Sequence, residues 1–156
     1  MLSRTILLLL SLVSPYPHAQ STRLILSQRH AIAHLAEDAA TAHGIPVELL
    51  LAVGYHETWC GTHPHEGGNW GAPRPHQHDR HLAGTADDAA AALARSIEVC
   101  GGSLRGAIGR FRSGLCRPWN PAHRAYVERV VGTIRRLHRA AGTEPPTELA
   151  SARPRR

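Results

Sequence analysis

"HGIPVELLLAVGYHET", residues 43–58, reads as the entry, body and end of one helix. Gly44 stops what precedes it, and Pro46 suits a first helical position, where a helix leaves the N–H unbonded anyway. A helix is expected over about 46–59. Val47, Leu50, Leu51, Gly54 and Tyr55 share a face, and Leu49, Ala52 and Val53 are apolar too. A helix apolar on most sides is buried on most sides, so other elements must surround it. Near its end stands Glu57, the single acidic residue of "GYHETWCG", 54–61. A carboxylate is costly to bury beside apolar groups unless it is paired or hydrogen-bonded. A buried position for Glu57 therefore points to a use.

The flanking sequence reads as four more helices and no strand. One spans about 28–43, with Ser27 as its cap, Ile32, Leu35, Ala36 and Ala39 as its stripe and Gly44 at its end. Another spans about 86–99. Thr85 and Asp88 resemble a capping box, Ala86, Ala89, Ala90, Leu93 and Ile97 form the stripe, and Gly101 closes it. A short helix follows Ser103, over about 104–112, and ends by Gly114. The last has Asn120 as cap and Pro121 in first position. Tyr126, Val127, Val130, Val131, Ile134 and Leu137 then recur at helical spacing up to Gly142. Between the second and third helices, 61–84 is rich in Gly, Pro and His and has no period. A loop of that length in a compact domain is usually functional or disordered, and its place directly after Glu57 favours function. Residues 143–156 read as a disordered tail.

The chain has 156 residues, enough for one domain. Met1–Arg4, an apolar run Thr5–Val13 and then Ser14–Ala19 follow the pattern of a secretory signal peptide, with cleavage expected after Ala19. The run is too short to span a bilayer, which needs about 20 residues. Residues 20–142 would form the exported domain, with no stable membrane insertion once the leader is removed. All 18 basic residues are Arg, and the formal charge is +6. That excess favours an anionic partner. The Arg residues are scattered, with no basic block, recognition helix or RNA-binding signature, so nucleic acid is not expected. Export makes an anionic wall polymer the better candidate.

Three cysteines, Cys60, Cys100 and Cys116, fit an oxidising compartment and allow one internal disulfide. There is no CxxC. Twelve histidines, five of them in the 61–84 loop, leave a metal-binding envelope protein as an alternative. His56-Glu57 nevertheless lacks the second His of a zincin helix, because position 60 is Cys.

Four short motifs, taken in order, resemble the lytic transglycosylase family of lysozyme-like proteins. The family's Leu- and Ala-rich helix ends in Glu-Ser, and this chain has Glu57-Thr58. Its Gly-Ala pair is matched in Asn69-Trp-Gly71-Ala72. Its Tyr-Asn-x-Gly element stands as Phe111-Arg112-Ser113-Gly114. Its closing Tyr-Val is Tyr126-Val127. Order and spacing agree over roughly residues 28–138. Three departures are visible: Pro73-Arg74-Pro75 replaces Leu-Met-Gln, Phe111 lacks the tyrosine hydroxyl, and Arg112 replaces Asn.

The resemblance implies an all-α fold, a lysozyme-like single domain of about five helices with a long active-site loop. It implies a monomer that acts on peptidoglycan glycan strands without metal or cofactor. Glu57 would be the catalytic acid, with Asn69, Gly71, Ala72, Phe111, Ser113 and Tyr126 lining the sugar cleft. Cys100 and Cys116 bracket the fourth helix, and similar domains often carry cysteines there, so their pairing is expected; Cys60 with Cys116 is the competing pair. A helix of about nine residues is roughly 13 Å long, so pairing across it requires the chain to fold back after Gly114.

General acid catalysis gives Glu57 its use, since cutting a glycosidic bond needs a proton on the leaving oxygen. An apolar setting keeps such an acid protonated, and Tyr55, Trp59 and Trp70 are near enough in sequence to supply it. Most glycosidases carry a second carboxylate, for which Glu66, Asp79, Asp87 and Asp88 are the candidates. The resemblance implies that none is needed. The C6 hydroxyl of N-acetylmuramic acid would attack the anomeric carbon and leave a 1,6-anhydro end. A hydrolytic muramidase and a wall-binding module that does not cut remain alternatives.

Overall fold

The computed structural model describes residues 3–15, 17–64, 69–71 and 85–145. Among them are seven helices and no strand, an all-α fold. In chain order they are α1 (Arg4–Val13), α2 (Gln20–Ser27), α3 (Arg29–His43), α4 (Val47–Thr58), α5 (Ala86–Val99), α6 (Leu104–Ser113) and α7 (Pro121–Ala140).

α4 is the centre. Leu49, Leu50, Leu51, Ala52 and Val53 are all buried, and α1, α3, α5 and α7 pack around it. Full burial of one such leucine is worth about 1.5–3 kcal/mol, so this single helix anchors much of the core. Glu48, in its first turn, is also buried and is paired with Arg4 of α1. The helix is therefore not wholly apolar.

The caps set the ends. Gly44 closes α3 in the left-handed conformation at φ 63°. Thr85 and Asp88 complete a reciprocal capping box at α5. Ser103 caps α6, and Asn120 caps α7 with Pro121 in its first turn. The Thr85, Ser103 and Asn120 side chains each supply an acceptor to an N–H group that the helix cannot satisfy, worth about 1 kcal/mol apiece. α5 lies against α3 and α6, and α7 closes the bundle against α4 and α6.

One correction concerns the N-terminal side. Ser27 does not cap α3. It is the last residue of α2, and its hydroxyl donates to the Leu24 carbonyl at 2.8 Å. α3 begins at Arg29 without a side-chain cap, and Leu35 is 54% exposed while Ala33 and Ala40 fill the core face instead. The apolar run Thr5–Val13, the heart of the expected leader, lies in α1. Its Ile6, Leu8, Leu9, Leu12 and Val13 are buried against the bundle. Removing α1 would uncover the faces of α3, α4 and α7 that it covers. Among the described residues no helix is long and apolar enough to cross a membrane.

Cys100 and Cys116 are joined, with Cα atoms 5.6 Å apart. The fold-back this needs is made at Gly114, at φ 78°, where α6 ends. The returning chain crosses the middle of α6 at Gly109. A Cβ there would lie 2.9 Å from Pro118 Cδ and 3.2 Å from the Leu115 carbonyl oxygen, so only glycine lets the two segments touch. Closing a 16-residue separation removes about 3 kcal/mol of unfolded-chain entropy. Cys60 is buried and bonded to no other cysteine, so the Cys60–Cys116 alternative is not formed. At the other end, Thr143 turns back on α7, its hydroxyl 2.8 Å from His138 Nδ1. The rest of the expected tail from residue 146 on lies outside the described residues.

Candidate active site

The end of α4 makes the site. After Thr58 the backbone turns left-handed at three successive residues: Trp59 (φ 55°), Cys60 (φ 56°) and Gly61 (φ 77°). For the two non-glycine residues this conformation costs on the order of 1–2 kcal/mol each. The surroundings hold them there. The Cys60 N–H donates to the Gly54 carbonyl at 2.9 Å, and the Cys60 side chain is buried with Sγ 3.7 Å from the Leu51 carbonyl. Burial pushes that thiol up, so it is inert packing. Thr58 staples the turn: its hydroxyl accepts from the Gly61 N–H at 3.1 Å and donates to the Asn69 carbonyl.

That staple brings Asn69-Trp70-Gly71 back across α4. Trp70 is buried on the Gly54 face, where a Cβ would lie 2.5 Å from the indole ring. One turn on, Gly71 sits on the Glu57 side chain. A Cβ at Gly71 would be 2.4 Å from Glu57 Cγ and 2.5 Å from its Cβ, and Gly71 has φ +82°. Both glycines of the segment contact are therefore fixed by what they touch.

Glu57 is thus held by its stem with its carboxyl in a pocket of about 420 Å³. The pocket is lined by His56, Glu57, Thr58, Asn69, Gly71, Arg112, Tyr126 and Arg129. The Glu57 side chain is 11% exposed, and its Oε2 accepts from Arg112 Nη1 at 3.1 Å. The Arg112 guanidinium also lies over the Tyr126 ring, 5.3 Å from its centroid. Glu57 Oε1 and the Tyr126 hydroxyl are buried, and neither is in full hydrogen-bond geometry with a described residue. Burial, the negative charge of Glu57 and the approach of the phenol to that carboxylate as a hydrogen-bond donor push Tyr126 up, so it stays protonated.

Of the expected cleft residues, Glu57, Asn69, Gly71 and Tyr126 come together. Phe111 and Ser113 do not. Phe111 is buried in the core, and the Ser113 hydroxyl donates to the Gly109 carbonyl at 2.7 Å on its own helix. Ala72 lies outside the described residues. The Gly71 N–H is used within its own turn, donating to Asn69 Oδ1 at 2.8 Å, rather than pointing free at a ligand. The expected apolar wall is replaced as well. Trp70 lies under Gly54, Tyr55 packs edge-on against His56, and Trp59 packs against His63; none of the three lines the pocket. The walls are instead the side chains of Arg112, Arg129, Tyr126 and His56, with the polar residues Thr58 and Asn69.

The other carboxylates have different work or lie elsewhere. Asp87 pairs with His43 at 2.8 Å, and Asp88 belongs to the α5 capping box. Glu66, Asp79 and four of the loop histidines lie outside the described residues. Among those described, no three potential metal ligands cluster.

His56, Thr133 and Arg129 are site residues that the sequence motifs did not name. His56 Nε2 lies 2.9 Å from Thr133 Oγ1 on α7. Burial, with Arg129 and Arg136 adding to it, lowers His56 from 6.5 to about 4. The imidazole is therefore neutral at physiological pH. A depressed folded pKa means that acid favours the unfolded chain, so stability present above pH 6.5 declines as pH falls toward about 4. Discounted for the part-exposed ring, the loss is about 2 kcal/mol. In urea unfolding, wild type should lose about that much more than His56→Gln between about pH 7 and about pH 4.5. Equal losses in the two chains would count against a buried neutral His56.

No protein-family model, curated protein or solved structure matches this chain.

Proposed function

We propose that the protein cuts the glycan strand of peptidoglycan by lytic transglycosylation, with Glu57 as the acid and then the base. The observation that carries this is a buried glutamate with one carboxyl oxygen outside full hydrogen-bond geometry, fixed by glycine contact in a pocket wide enough for sugar. Three of the motifs that carry the family resemblance meet there: Glu57-Thr58, Asn69–Gly71 and Tyr126. In the proposed reaction Glu57 protonates the glycosidic oxygen between N-acetylmuramic acid and N-acetylglucosamine. It then takes the proton of the C6 hydroxyl as that oxygen closes on the anomeric carbon. The Tyr126 hydroxyl, protonated and beside Glu57 in the same pocket, is available to hydrogen-bond the sugar. The leader pattern of residues 1–19 puts this work in the cell envelope, as a monomer.

The Arg112–Glu57 pair favours a second reading, a module that binds the wall without cutting it, because a carboxylate tied to a guanidinium is an acceptor and not a donor. Incubating the protein with purified sacculi separates the two. Transglycosylation releases soluble muropeptides; the binding module sediments with the sacculi and releases none.

A further inference from the structure

Glu57 is the only acidic residue among the described residues that line the pocket, and two guanidinium groups line it with Glu57. Arg112 gives Glu57 a single contact, at 3.1 Å, and its side chain is 47% exposed. It is not a closed two-pronged pair, so most of its five N–H donors are not taken up by Glu57. Stacking on Tyr126 fixes the plane of that fork. Arg129 stands one turn beyond Tyr126 on α7, is exposed, and has no ion-pair partner among the described residues. Three other arginines are engaged, Arg4 with Glu48, Arg105 with Glu128 and Arg124 with the Trp119 carbonyl; what sets Arg112 and Arg129 apart is that both line the pocket. A neutral sugar chain gives two guanidinium groups little to bind. A chain carrying carboxylates gives them their best partner.

We propose that Arg112 and Arg129 recognise a carboxylate on the bound glycan, and that this carboxylate displaces Glu57 from Arg112. The proposal rests on the glycan reading above and gives that substrate its required chemistry. The exchange replaces one carboxylate by another on the same guanidinium, so the ion-pair energy nearly cancels. What changes is Glu57, whose two oxygens are then free to hold and deliver a proton. The arginine that keeps the empty site inactive thereby becomes the sensor of a substrate bound in register. The carboxylate has two sources on a wall strand: the lactyl group on the sugar ring, or the peptide attached to it.

Binding to the full chain carrying Glu57→Gln, which removes the acid and so isolates binding from cutting, tests this. The probes are a wall tetrasaccharide with free lactyl carboxylates, its methyl ester, the same tetrasaccharide with peptides attached, and an N-acetylglucosamine tetrasaccharide. The free acid should bind about 10- to 100-fold more tightly than the ester, the usual worth of hydrogen bonds to a charged group. Adding Arg112→Gln or Arg129→Gln should bring acid and ester together and leave the N-acetylglucosamine probe unchanged. Tighter binding of the peptide-bearing form than of the free acid would assign the carboxylate to the peptide. N-acetylmuramic acid itself offers no bond to cut. It should bind Glu57→Gln more tightly than wild type, because Glu57 no longer competes for Arg112. Equal binding of acid and ester, or a preference that survives both arginine substitutions, overturns the recognition. Equal binding of the monosaccharide to both chains overturns the exchange. Binding of no saccharide at all overturns the glycan reading beneath both.

Discussion

Glu57→Gln is expected to lower release of muropeptides from sacculi by about 10²–10⁴-fold, the usual worth of a general acid. Glutamine keeps the size of the side chain and its contact with Gly71 but has no proton to transfer. The fold should hold. The substitution loses one ion pair to a half-exposed arginine, worth about 0–1 kcal/mol, and removes a charge whose second oxygen is buried outside full hydrogen-bond geometry. Wall binding should persist. Glu66→Gln is the contrast and should change little. If Glu66→Gln were the inactive chain and Glu57→Gln the active one, a two-carboxylate hydrolase would take the place of the present account.

Gly71→Ala should cost nearly as much activity without touching any reacting group. Its Cβ would have to occupy space 2.4–2.5 Å from two carbons of Glu57, and the backbone there is at φ +82°. Something must shift, and the flexible partner is Glu57. A displacement of about 1 Å can cost a catalytic group roughly 10²-fold. The substitution should therefore lower turnover by about that factor, with a loss of stability of about 1–3 kcal/mol from the left-handed backbone. Activity and circular dichroism on the same preparation check it. Wild-type turnover in a folded Gly71→Ala would show that the loop does not set the position of Glu57.

The elements that were legible carry their own punctuation. Thr85 with Asp88, and Asn120 with Pro121, mark the starts of α5 and α7 in four residues, and Gly44 marks the end of α3. α2 has no such signal: it is eight residues long, without a side-chain cap, and mixed in polarity. Ser27 misled because serine favours the N-cap but also bonds back to a carbonyl inside a helix, as it does to Leu24. α1 was hidden for a different reason. A short apolar run near a chain start has a helix-forming composition whether or not it also serves as a leader, so reading it as a leader named no helix there.

The site was half legible. Glu57 stood out by the cost of burying it, and Tyr126 by the motif it shares. Phe111 was placed in the cleft by motif position, yet neighbours on a helix point about 100° apart, so only one of Phe111 and Arg112 can enter the pocket. Arg112 is the one that does. Arg129 had a signal that goes beyond motifs. Tyr126, Arg129 and Thr133 follow at i, i+3 and i+7, one face of α7, and that face meets His56 and Glu57. The tryptophans misled because nearness in sequence is not nearness to the carboxyl: Trp70 lies under Gly54, one turn before Glu57.

The most direct test of the central claim is to digest purified sacculi with the full chain in heavy-oxygen water and to weigh the released muropeptides. Closure by the sugar's own C6 hydroxyl uses no water. The products should be 1,6-anhydro ends, one water lighter than reducing ends and free of the heavy isotope. Reducing ends that carry the isotope would contradict transglycosylation and identify a hydrolase.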